Sequence, residues 1–163
     1  MEQRFLALSD GYFRQYLGRI RACVELLSDE QVWWRPHEAC NSVGNLMLHL
    51  AGNLSQWVLA GLGGQVFDRH RAAEFAARDG ASKDELLRRL SGVVDDVRAV
   101  LGVLTADDLA APRHIQGYDT DGLGVVLHVV EHMSYHTGQI VAAAKQLCGP
   151  SAAIDFYPQH KNE

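Results

Sequence analysis

No stretch of the 163-residue chain approaches the roughly 20 consecutive apolar residues that a bilayer-spanning helix needs, so no membrane span is expected. Lys and Arg are scattered rather than gathered into a stripe, and the formal net charge is −5. A phosphate backbone would find no basic track to follow, which argues against nucleic-acid binding. The opening Met1-Glu-Gln-Arg-Phe5 lacks a charged leader followed by an apolar run, so no signal peptide is expected. Cysteine is scarce. Cys23, Cys40 and Cys148 are odd in number, far apart and without a C-x-x-C pair, the usage of free thiols in a reducing compartment. Internal repeats and low-complexity tracts are also missing, and strand patterns are few. These absences lead to the expectation of a cytoplasmic protein.

What is present is ordinary globular material. The chain is 47% hydrophobic and 21% charged, values typical of a soluble domain, and it is long enough to enclose one core. A first amphipathic helix is predicted from about Arg4 to Leu27, with Phe5, Leu8, Tyr12, Tyr16, Ile20, Cys23 and Leu27 at spacings of three and four. Ser28-Asp-Glu-Gln31 has the form of a capping box and starts a short piece that Trp33-Trp34-Arg35-Pro36 ends. A second helix is predicted from Ser42 to about Ala60. Its apolar side is Val43, Leu46, Met47, Leu50, Leu54, Trp57 and Val58, and beside it runs a polar stripe of Asn45, His49, Asn53 and Gln56. Gly61-Leu-Gly-Gly64 stops it.

Residues 65–81 read as a connection with about one turn of helix. Arg69, Arg71, Glu74 and Arg78 suggest a solvated path. A second capping box, Ser82-Lys-Asp-Glu85, opens a third helix whose buried face runs from Leu86 to Leu104. Thr105 to Tyr118 is again a connection, with a short extended piece at Arg113 to Gln116. The fourth helix is predicted from about Asp121 to Leu147, closed by Gly149-Pro150. Ile154, Phe156 and Tyr157 in the tail are expected to fold back onto the helices. Four long amphipathic helices around one core make an all-α four-helix bundle, a single domain over residues 1–163.

The most informative stretch is His128-Val-Val-Glu-His132-Met-Ser-Tyr-His136-Thr-Gly-Gln-Ile140. Residues four apart share a helix face, so His132 and His136 can aim their imidazoles at one ion. His128 and His136 are two turns apart, roughly 12 Å, too far to share it. A third ligand must come from another element, and His49 in the polar stripe of the second helix is the natural candidate. A lone histidine at the edge of a helix face is usually only a solvated polar residue. Three in apolar helices are different, because a buried imidazole costs free energy without a partner and a shared divalent ion would satisfy all three. His128 stays open: it could replace His136 beside His132, act as a base next to the site, or sit at the end of the bundle. Asn53, Gln56, Tyr135 and Gln139 are candidates to line a pocket or to orient the ligands. Glu131 falls off the stripe, and His37, His70, His114 and His160 lie in connections or the tail.

Three stretches, Leu27 to Pro36, Ser42 to Asn53 and His128 to Ile140, together with Arg71-Ala-Ala-Glu-Phe75, give the chain its resemblance to the DinB/YfiT-like metalloenzyme superfamily, and most of all to the branch described as a domain of unknown function. The pair of histidines at i, i+4 followed by Gly138-Gln139 is the most specific part. The resemblance implies a four-helix bundle with a divalent transition metal, commonly nickel or zinc, on one histidine of helix two and two of helix four. Matched by motif, these are His49, His132 and His136. It also implies a thiol cofactor, since relatives include S-transferases that use bacillithiol, mycothiol or glutathione and a mycothiol-dependent isomerase.

Three functions compete at this level. The first is transfer of a low-molecular-weight thiol onto an electrophilic small molecule. The second is hydrolysis by metal-bound hydroxide, which wants a general base that only Glu131 or His128 could supply. The third is a metal- or ligand-binding helical module with no catalysis. In each case a homodimer is expected.

Overall fold

The structure, a computed structural model, describes residues 1–150 and 154–156. Four long helical stretches dominate: α1 (Glu2–Glu25), α3 (Val43–Leu54) continued by a π-helical segment (Ser55–Ala60), α5 (Lys83–Leu101) and α7 (Gly122–Cys148). Shorter elements join them: α2 (Asp29–Trp33), α4 (Arg71–Ala76), α6 (Ala106–Ala110) and a two-stranded antiparallel hairpin, β1 (Pro112–Ile115) and β2 (Tyr118–Asp121). None of the described helices is long and apolar enough to cross a membrane.

Each long helix packs on two others: α1 lies against α5 and α7, and α3 also lies against α5 and α7. The neighbours in space are therefore not simply the neighbours in sequence, which the two long connections permit. Phe13, Ile20, Leu50, Leu54, Leu90, Val94, Val126, Val129, Met133 and Ile140 are fully buried at the centre.

The local signals explain the helix starts. Ser28, Ser42, Ser82 and Thr105 each accept a hydrogen bond from the backbone N–H three residues on, and the side chain at that position returns to the cap, so all four are complete capping boxes. The box at Ser42 uses Asn45, whose amide also donates to Glu74 O at 2.8 Å and Ala77 O at 2.9 Å. That one side chain starts α3 and fastens α4 to it.

Several expectations need correction. On α1 the buried stripe is Leu6, Ser9, Phe13, Ile20, Cys23 and Val24, while Leu8 and Tyr12 are 55% and 46% exposed. The helix carries two apolar stripes, and its packing on α5 and α7 selects the one with Phe13. The second helix does reach Ala60, but its last six residues widen into a π-helix. Residues 105–121 hold α6 and a full hairpin rather than one extended piece. The connection at 65–81 is not a solvated path throughout: the side chains of Arg69 and Glu74 are only 3% and 11% exposed. Ile154 and Phe156 do pack against the core, while Tyr157 and His160 lie outside the described residues.

Candidate metal centre

Helix α3 carries His49, which is buried, and α7 carries His132 and His136 one turn apart. Because α3 packs on α7, the three rings meet. His49 Nε2 lies 3.1 Å from His132 Nε2, and His136 Nε2 lies 3.2 Å from the same atom. The rings are not stacked: their planes stand at 60°, 83° and 77° to one another. Nitrogen edges, rather than ring faces, point inward.

The outward nitrogens decide which protons are present. His49 Nδ1 is 3.0 Å from Glu74 Oε2, and a carboxylate can only accept, so His49 carries its proton on Nδ1. Arg69 Nη2 also lies 3.1 Å from that nitrogen, but it donates to Glu74 Oε2 at 2.9 Å. His136 Nδ1 faces Gln139 Oε1 at 2.7 Å, again an acceptor. In the neutral form both rings therefore turn an Nε2 lone pair toward His132. His132 Nε2 can carry at most one proton and satisfies only one of them, and its buried Nδ1 has no hydrogen-bond partner.

Three nitrogens short of hydrogens facing one point are what a cation neutralises. The three ligand-capable atoms all lie within 4.8 Å of one another, a group that could hold a metal ion. The two short separations also suit it, because tetrahedral nitrogen ligands at about 2.05 Å from zinc are themselves roughly 3.3 Å apart. The residues fit the ion.

Electrostatics point the same way. Burial, reinforced by positive charge that would gather on His136, His49 and His128, pushes the His132 imidazole down to about 3. Burial also holds His136 below the ordinary imidazole value. Both are neutral at pH 7, the form that binds metal. Burial alone would raise the Glu74 carboxyl, but the hydrogen bonds from His49 and Arg69 and the Arg69 charge outweigh it. Glu74 stays ionised against His49.

The other candidates divide. His128 is not among the converging nitrogens. Its ring packs on Trp57, with centroids 4.2 Å apart, and lies 5.6 Å from His132, and burial lowers its pKa. Gln139 meets the His136 ring through its Oε1. Tyr135 is 60% exposed with its ring against His136. Asn53 is buried and its Oδ1 has no hydrogen-bond partner. Gln56 faces away from the three nitrogens in its bonding: its Oε1 accepts from Arg69 Nη1 at 3.1 Å and Gln116 Nε2 at 2.6 Å.

Sequence reading missed Arg69 and Glu74 as parts of the site, and Phe75, whose ring sits 4.6 Å from that of His49. An arginine-rich connection ordinarily is solvated, and only the likeness of the Arg71 to Phe75 stretch to relatives marked it. Gly52 supplies the physical reason that the pair can enter. A Cβ at that position would overlap the Glu74 carboxylate and press on Arg69 Nε, so only glycine lets them lie against α3.

Comparison with known proteins agrees with the fold. A conserved protein from Enterococcus faecalis superposes with a TM-score of 0.73 at 17% identity, covering 85% of this chain and 94% of its own. A DinB-like protein from Bacillus subtilis gives 0.66 at 16% identity, covering 87% and 93%, and one from Bacillus cereus gives 0.64 at 15%, covering 84% and 91%. No curated protein matches the sequence. The family model described as a protein of unknown function, DUF1572, matches residues 1–154. The chain belongs to the DUF1572 family, and its fold is that of the DinB-like proteins.

Proposed function

We propose that this protein is a metal-dependent enzyme on a four-helix bundle of the DinB/YfiT-like type, moving a low-molecular-weight thiol onto an electrophilic small molecule. The observation that carries the reading is the convergence of His49, His132 and His136 through Nε2, with Nδ1 of His49 and His136 already held by Glu74 and Gln139. These three imidazoles are the ligands we assign to a divalent transition ion, zinc or nickel. Three protein ligands would leave a position open, as in catalytic sites, and an ion held by His49, His132 and His136 would favour the thiolate form of a thiol near neutral pH.

The chain's own residues prepare that position. Glu74 fixes the tautomer and orientation of His49, and Gln139 does so for His136. Arg69 spans both carboxylate oxygens of Glu74, at 2.8 and 2.9 Å, and prevents the carboxylate from turning. Tyr135, exposed beside His136, offers a polar edge to a substrate. Hydrolysis is the weaker reading because it wants a general base beside the ion, and His128 packs its ring on Trp57 and is not among the converging nitrogens. Glu131 is exposed and off the stripe, and Glu74 is committed to His49 and Arg69.

The same reading takes a reducing, cytoplasmic setting for the three cysteines, none of which is in a disulfide among the described residues, and a homodimer. Exposed Leu8 and Tyr12 on α1, with Leu123 and Leu127 on the adjoining α7, are the apolar side chains a second copy would cover. Light scattering at micromolar concentration tests that: a monomer mass removes the dimer.

The first test of function is elemental analysis of untagged protein against His49→Ala and His132→Ala. Near one transition metal per chain, absent from both variants, is expected. Metal-loaded protein should then conjugate a small thiol to an aryl halide faster than the His49→Ala variant. Equal rates overturn thiol transfer. Ester or amide cleavage without added thiol favours the hydrolase, and bound metal with neither activity favours a binding module.

A further inference from the structure

The tip of the β1–β2 hairpin carries a feature that the metal reading leaves unused. Its two turn residues, Gln116 and Gly117, have φ of 53° and 81°, the pattern of a two-residue hairpin turn that prefers Asn, Asp or Gly. Gln116 is the one non-glycine residue with positive φ among the described residues. A side chain in that conformation is disfavoured, so glutamine must be held there by something.

What holds it is a run of hydrogen bonds that ends on a histidine. Trp57 Nε1 donates to Gln116 Oε1 at 3.0 Å, and Gln116 Nε2 donates to Gln56 Oε1 at 2.6 Å. Gln56 Oε1 also accepts from Arg69 Nη1 at 3.1 Å. Arg69 grips both oxygens of Glu74, and Glu74 Oε2 meets His49 Nδ1. Indole and guanidinium can only donate, so the two ends fix both amides: neither glutamine can turn over without placing donor against donor. At the near end, Ile115 is buried and reaches the backbone of Gly61, where a Cβ would overlap it. The hairpin is seated, and its tip is aimed.

We propose that the hairpin tip is a working part of the metal centre. Gln116 is a positioning residue that, through Gln56 and Arg69, sets how Glu74 is presented to His49, and so how strongly His49 binds the ion. The inference rests on the metal reading above and extends it to a hairpin 60 residues from Gln56 in sequence. Without the Gln116 amide, Gln56 Oε1 is held from the Arg69 side alone, and the acceptor that orients the buried Arg69 Nη1 is less firmly placed. Asparagine tolerates the backbone but is one methylene shorter and leaves the gap open.

Gln116→Gly separates backbone from side chain, because glycine keeps the left-handed turn and removes only the amide. Zinc affinity by chelator competition, the visible spectrum of the cobalt(II) form and the melting temperature of metal-free protein are measured for wild type, Gln116→Gly and Gln116→Asn. The expected result is metal-free melting unchanged or higher in the glycine variant. Its zinc binding should be about three- to ten-fold weaker, less than the 10–100-fold typical of a direct ligand partner. The cobalt bands should shift in both variants. Wild-type affinity and an unchanged cobalt spectrum in both variants overturn the proposal while leaving the metal site standing. A wild type that binds neither ion removes the metal reading, and this inference with it.

Discussion

Glu74 Oε2 lies 3.0 Å from His49 Nδ1 while both its oxygens are held by Arg69. The carboxylate, imidazole and guanidinium thus form one nearly dry unit, with side chains 11%, 6% and 3% exposed. Glu74→Gln preserves the shape and removes the charge. The buried Arg69 is then left without its counter-charge, and the His49 ring loses its strongest acceptor. Zinc affinity should fall about 10–100-fold, and the metal-free protein should lose about 3 kcal/mol, as when one partner of a buried pair is removed. Chelator competition and urea unfolding measure the two effects; a variant matching wild type in both would remove Glu74 from the site.

Metal addition should stabilise the fold, because the three nitrogens come together only in the native state. At a free ion concentration of 100 times the dissociation constant the gain is about 2.7 kcal/mol, on the order of 5–10 °C in melting temperature for a chain of this size. His136→Ala should abolish the shift. Scanning calorimetry with and without zinc or nickel is the measurement, and a shift that survives in His136→Ala would mean the ion binds elsewhere.

Much of this site was legible in the sequence, for a definite reason. The spacing of His132 and His136 maps directly onto one face of a helix, and His49 stood in a polar stripe on an otherwise apolar helix. Periodicity converts such local patterns into geometry. It cannot report what a connection does when it folds back, so Arg69 and Glu74 read as solvated charges until Gly52 was seen to admit them. Nor does local pattern reveal that Ser55–Ala60 widens into a π-helix, or that the hairpin tip reaches Gln56 across the chain. The two apolar stripes on α1 failed for a related cause: either could be the core face, and only contact with α5 and α7 chooses.

Gly52 makes the steric part of the argument testable by itself. Gly52→Ala places a methyl where the Glu74 carboxylate and Arg69 Nε now lie. Alanine is the better helix former by about 1 kcal/mol, so on an empty face the change would stabilise α3. Here overpacking costs about 1–3 kcal/mol, and α4 must move away from His49. Net destabilisation with weakened zinc binding is expected by thermal melting and chelator competition. A more stable variant with normal affinity would show that the pair is not seated against α3.

Acid should unfold the metal-free protein through the same histidines. His132 is held down to about 3, and His128 and His136 are also lowered, all chiefly by burial. Above the unfolded imidazole value of about 6.5, these rings are neutral in both states and impose no penalty. As the pH falls below it, the unfolded chain takes up protons that the native state refuses, so stability declines. For each such ring the slope reaches at most about 1.4 kcal/mol per pH unit, less where solvent reaches the ring. The decline should continue for His132 until the pH approaches 3. Bound zinc should raise the stability and make its decline with falling pH steeper while the ion stays bound, because occupied ligand nitrogens also refuse protons that the unfolded chain takes up; once the ion is released the metal-free slope returns. Urea unfolding of metal-free protein between pH 4 and 7.5 measures the slope. His132→Gln should flatten it, because that side chain does not titrate; a slope unaltered by the substitution would assign the acid sensitivity to other groups.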